Sequence, residues 1–128
     1  MIARLVSDAE FDALISAAMD ELPPERIQGL QNVAITYADE PTPEQAQKLK
    51  LRGDQLLLGL YEGIPLTKRG AGYNLVLPDK ITLFKIPLSQ IAKDENDFRE
   101  QIKHTLWHEI AHYYGLNHDD IHEREHKH

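Results

Sequence analysis

Phe11, Leu14, Ile15, Ala18 and Leu22 recur at spacings of three and four residues. That stripe predicts an amphipathic helix, capped at Ser7 or Asp8 and stopped by Pro23-Pro24. A short helical turn over 25–30 is expected next. Val33-Ala34-Ile35-Thr36-Tyr37 is rich in β-branched and aromatic residues and predicts a strand. Asp39 to Pro43 reads as a turn, and Glu44–Leu51 as a helix. Leu56 to Tyr61 is a short apolar run bounded by turn residues, a second strand. Lys80 to Ile86 gives a third, ending at Pro87 or lying at a sheet edge, because proline donates nothing to a ladder.

Between the last two strands, Glu62 to Gly72 holds four glycine or proline positions at 63, 65, 70 and 72. It reads as a solvated loop, with Lys68-Arg69 as a local positive spot. The functional alternative is a flap that carries Tyr61 or Tyr73 to a substrate.

A longer stripe follows, with Phe98, Ile102, Leu106 and Ile110 again at helical spacing. Asp94 is its expected cap, and Glu95 and Asp97 suit its positive end. At about 100° per residue, His108 points away from Ile110. This helix therefore has one face for a core and another presenting His104, His108 and His112. Trp107, Tyr113 and Tyr114 flank those faces and are expected to pack. Asp119–Lys127 predicts a last short polar helix.

The chemistry sits on that second face. His108-Glu109-Ile110-Ala111-His112, with Gly115 and His118, spells H-E-x-x-H-x-x-G-x-x-H. His108 and His112 lie one helical turn apart, so two imidazoles can grip one ion. Glu109 sits beside the pair as a candidate general base. Gly115 can take the left-handed conformation that ends a helix and turns the chain back, bringing His118 to the same metal. Three ligands leave a fourth tetrahedral position open, as in catalytic rather than structural zinc sites. Such an ion activates water and polarises a carbonyl, and Glu109 would move the proton to the leaving amine.

Several neighbours have two readings. Asp119 is a candidate partner of His118, an alternative oxygen ligand, or a helix cap. Tyr61, Tyr73 and Tyr114 are candidate oxyanion donors, with packing as the preferred role. His104 is a spare ligand at most, and an exposed polar residue is the preferred reading. His122, His126 and His128 receive no role. All seven histidines fall after Lys103, so local enrichment lowers the weight of any single one.

Composition bounds the rest. The 128 residues suffice for one domain spanning 1–128 with one core. A net charge of −7 argues against nucleic-acid or anionic-membrane partners. No apolar run approaches a membrane span, and the first residues lack a secretory h-region, so a cytoplasmic protein is expected. With no cysteine, any zinc must be held by imidazole and carboxylate.

Three segments resemble the small bacterial zincin-like metallopeptidases, first catalogued as a domain of unknown function. They are Leu57 to Leu66, Leu77 to Leu88, and the helix from His104 through Gly115. The resemblance implies an α+β, minimal zincin-like fold: a small mixed sheet packed against helices, with the H-E-x-x-H helix central. It implies a zinc-dependent peptidase with one Zn2+ per chain, acting on peptides or unfolded proteins. His108 and His112 match the paired ligands and Glu109 the base. Family members are often acidic where this chain has His118, followed by Asp119-Asp120. Full metzincins carry a methionine turn downstream, whereas the methionines here are Met1 and Met19. Ten residues follow His118 in this sequence, so no C-terminal subdomain walling a cleft is expected. The competing expectation is a non-catalytic metal-binding or protein-interaction module on the same scaffold.

Overall fold

The computed structural model describes residues 5–51, 55–70, 72 and 77–116. Two long helices and a three-stranded sheet enclose the core. Helix α1 spans Asp8–Glu21, and the Ser7 side chain caps it by accepting from the Glu10 N–H. Phe11, Ile15 and Ala18 are its buried face. A five-residue helix, α2, follows at Pro24–Gln28, with proline placed where no intrahelical N–H is needed.

Strand β1 covers Val33–Ala38 and leads into the short helix α3, Pro43–Lys48. A reciprocal capping box between Thr42 and Gln45 starts α3. Strand β2 is Gly59–Glu62, a 3-10 turn occupies Leu66–Lys68, and strand β3 is Asp79–Phe84. The sheet order is β1-β3-β2. β1 runs parallel to β3 and β2 antiparallel to it, with Ile35 and Tyr61 both paired to Ile81.

This order corrects one expectation. β3 is the central strand, not an edge, and the edges are β1 and β2. Pro87 does not mark an edge because the strand stops at Phe84, and Lys85–Ile91 forms helix α4. Pro87 is the third residue of that helix, where the N–H would lack an intrahelical acceptor anyway.

Helix α5, Glu95–Tyr113, is the longest element. The Asp94 side chain accepts from the Asp97 N–H at 2.7 Å and fixes its start. Phe98, Ile102, Leu106 and Ile110 are all buried against Ile81 and Leu83 of β3 and against α1. Burying four such side chains stabilises the helix by roughly 6–12 kcal/mol before entropy is counted. That outweighs the weak cost of its polar histidine face. Phe11 stacks on Phe98 at one end, with ring centroids 6.0 Å apart.

The polypeptide leaves α5 through a Schellman turn. Gly115 has φ +79°, its N–H donates to the His112 carbonyl, and the Leu116 N–H donates to the Ala111 carbonyl. No described helix is long and apolar enough to cross a membrane.

Candidate metal centre

His108, Glu109 and His112 come together on α5, one potential ligand atom from each lying within 4.8 Å of the others. The two imidazoles stand one turn apart, centroids 4.7 Å from each other and inclined at 68°. His108 and His112 are half-buried, while Glu109 is buried. The helix thus presents the rings outward and tucks the carboxylate between itself and the sheet.

β2 supplies the wall on that side. Gly59 and Tyr61 share a sheet face with Leu83 and Ile81, the face turned to α5. A Cβ on Gly59 would lie 2.7 Å from Thr105 Cγ2 and 3.3 Å from Glu109 Cγ. Tyr61, two residues on, meets Tyr113 edge to face. β2 therefore runs alongside α5, from the level of Glu109 to that of Tyr113.

Glu109 Oε1 and His112 Nδ1 are 3.1 Å apart. This contact is the main reason the His112 pKa is raised above the ordinary 6.5; burial opposes it, and the carboxylate's charge adds to it. It also assigns the nitrogens. With Nδ1 directed at a carboxylate, Nε2 is the atom left to meet an ion, the arrangement common to metal-binding histidines. Two imidazoles one turn apart are donors suited to zinc, with a carboxylate close beside them. The residues present fit the group.

The other candidates divide. His104 lies one turn before His108 and is exposed, outside the three-residue cluster. The Tyr61 hydroxyl donates to the Asp79 carboxylate, and the Tyr114 hydroxyl donates to the Arg26 carbonyl at 2.5 Å. Burial pushes the pKa of both phenols up. Neither hydroxyl is turned to the cluster, so their role is structural. His118, Asp119 and Tyr73 fall outside the described residues, as does the predicted helix over 119–127.

One contribution has no counterpart in the sequence reading. Arg69, a solvated loop charge by pattern, has a side chain only 6% exposed and pairs with the equally buried Asp79. The charge pattern does not reveal this, because the acid lies ten residues away across a loop.

A cavity of about 520 Å³ lies elsewhere. Leu22, Arg26, His104 and Trp107 line it, with none of the three cluster residues. The Arg26 guanidinium lies 3.8 Å above the Trp107 ring there. The cluster itself lies beside β2.

Residues 30–128 match the profile of the zincin-like metallopeptidase family. The chain belongs to that family. A solved structure, a conserved hypothetical protein from Thermo thermophilus, superposes with a TM-score of 0.58 at 21% identity. The match covers 85% of this chain and 94% of that one, and it shows a shared fold. Among curated proteins no significant match was found. Family and geometry agree on an α+β zincin-type domain whose His–Glu–His cluster is of the metal-holding kind.

Proposed function

We propose that this zincin-like domain is a zinc-dependent peptidase. The observation that carries the reading is the cluster of His108, Glu109 and His112 beside an edge strand. His108 and His112 hold one Zn2+ per chain, with His118 as the third ligand and Asp119 as its alternative. Zinc, when bound, activates water and polarises the scissile carbonyl. Glu109 accepts the proton of the attacking water and delivers it to the leaving amine. Its burial beside β2, against Thr105 and Gly59, restricts the carboxylate to the side facing the histidines.

The strand at the edge supports a peptide substrate. Among the described residues nothing pairs with the outer side of β2, so its backbone groups can receive an extended chain. Backbone recognition selects unfolded segments and discriminates weakly among sequences. Strand addition falls to β2, because β3 is enclosed between its neighbours. A cytoplasmic location fits this role.

A second reading, a metal-binding module without catalysis, is favoured by one observation. A cavity of about 520 Å³ lies away from the cluster and is lined by none of its three residues.

Elemental analysis of dialysed protein and cleavage of a fluorogenic peptide library test both readings. The peptidase reading expects about one zinc per chain and chelator-sensitive cleavage, with Glu109→Gln keeping zinc but losing about 10²–10⁴ in rate. Zinc without cleavage by wild type supports the module instead. Wild type that takes up no zinc overturns both.

A further inference from the structure

The segment after β2 carries glycines, a proline and two basic residues, yet it is tied down along its length. Arg69 Nε donates to the Ile64 carbonyl at 2.9 Å, and Nη1 donates to the Gln31 carbonyl at 3.0 Å. Nη2 donates to Asp79, which also accepts from Tyr61. The guanidinium carbon stands 5.0 Å from the centroid of the Tyr113 ring. Residues 63–69 thus form a strap joining the starts of β1 and β3 to the end of α5.

That end of α5 is where holding is needed. His108 is anchored by Leu106 and Ile110 on either side of it, both fully buried. His112 is the penultimate residue of the helix, and last turns fray unless tertiary contacts fix them. Here the contacts come from the strap network. Tyr113 is fully buried, with Arg69 over its face, Tyr61 at its edge and the Gln31 N–H donating to its hydroxyl at 3.0 Å. Two residues on, Thr67 of the strap packs directly on Gly115.

We infer that Arg69 is a positioning residue for the metal centre: through the strap it fixes the last turn of α5, and so the place of His112 relative to His108. The inference rests on the proposed reading of those two histidines as metal ligands. Arg69 touches neither ion nor substrate and acts through Tyr113 and Gly115. Lysine cannot replace it, because one ammonium cannot reach three acceptors in the plane of a guanidinium fork.

The test compares zinc affinity with stability of the metal-free protein in Arg69→Lys, Tyr113→Phe and a control, Phe11→Leu. Phe11 contacts α5 at Phe98, about 22 Å along the helix from Tyr113. Affinity is read by competition with a chromophoric chelator, stability by thermal unfolding, and order of the last turn by amide hydrogen exchange at 113–116. Both network variants are expected to weaken zinc binding by about 10-fold or more, the scale seen when outer supports of metal ligands are removed. Exchange at 113–116 is expected to speed up in both. Phe11→Leu is expected to lower unfolding temperature without moving either readout. If Arg69→Lys and Tyr113→Phe bind zinc no worse than Phe11→Leu, the inference is overturned while the metal site stands. Wild type that binds no zinc overturns the metal reading, and the inference with it.

Discussion

Gly59 and Glu109 touch backbone to side chain: a Cβ on the glycine would lie 3.3 Å from the glutamate Cγ. The same Cβ would meet Thr105 Cγ2 at 2.7 Å, too close for any real contact. Gly59→Ala must therefore displace Thr105 and crowd Glu109 beside it. Overpacking of this kind costs about 1–3 kcal/mol. Denaturant unfolding should show that loss. Imidazole NMR titration should show the His112 pKa falling back toward 6.5, since its rise comes first from Glu109.

Two buried cation pairs should contribute differently to stability. Arg69 and Asp79 are each 6% exposed. Asp79→Asn leaves a guanidinium without its counter-charge, and breaking a buried pair costs about 3–5 kcal/mol. Lys85 is 7% exposed, but its partners Asp8 and Asp39 are 66% and 65% exposed. Lys85→Met returns those carboxylates to water and should cost about 1 kcal/mol or less. Equilibrium unfolding of the two variants side by side checks the order. A reversed order would mean Lys85, not Arg69, is the charge the fold depends on.

The elements legible in the sequence are those whose signal is local. The α5 stripe, the Asp94 and Ser7 caps and the Gly115 stop all depend on residues within one or two turns. The His108–Glu109–His112 cluster belongs to the same class, because helical spacing alone brings it together. What is not legible depends on distant partners. Lys85-Ile86 prolongs the β-branched run of β3 in sequence, but the chain bends into α4 as Lys85 turns to Asp8, 77 positions away. Arg69 reads as a loop charge until Asp79, Gln31 and Tyr113 surround it. Tyr61 is a catalytic candidate by residue type alone, and the contact with Asp79 that assigns it elsewhere has no sequence signature.

Zinc binding should depend on pH through His112. Its contact with Glu109 holds the imidazole protonated above the ordinary 6.5 in the metal-free protein. A raised folded pKa adds stability that is complete below 6.5 and is lost as pH rises through the folded value. Metal binding runs the other way, because an ion must displace that proton. As pH is lowered, apparent zinc affinity should therefore begin to fall while still above 6.5, by about tenfold per unit once His112 is protonated. Glu109→Gln removes the carboxylate and should move that onset to lower pH. Calorimetric titration with zinc between pH 5.5 and 8, set against the NMR titration of the metal-free protein, measures both. An onset unchanged in Glu109→Gln would show that the 3.1 Å contact does not control the ligand's protonation.

Gly115 carries two constraints that a double substitution can separate. Its φ of +79° lies in the left-handed region, where a side chain costs about 1–2 kcal/mol. Its α-carbon also faces Thr67, whose Cγ2 would be 2.8 Å from an added Cβ. Gly115→Ala should thus destabilise by more than the backbone term alone, about 2–5 kcal/mol with overpacking included. Thr67→Ala removes the γ atoms and relieves most of the steric part, leaving Thr67 Cβ at 3.1 Å. Unfolding of the two single variants and the double variant should give a coupling of about 1 kcal/mol or more, with Gly115→Ala cheaper in the Thr67→Ala background. The residual cost in the double variant measures the left-handed turn together with the remaining Cβ contact. If the substitutions are additive, Thr67 does not press on the turn, and the strap's hold on the end of α5 would rest on Arg69 and Tyr113 alone.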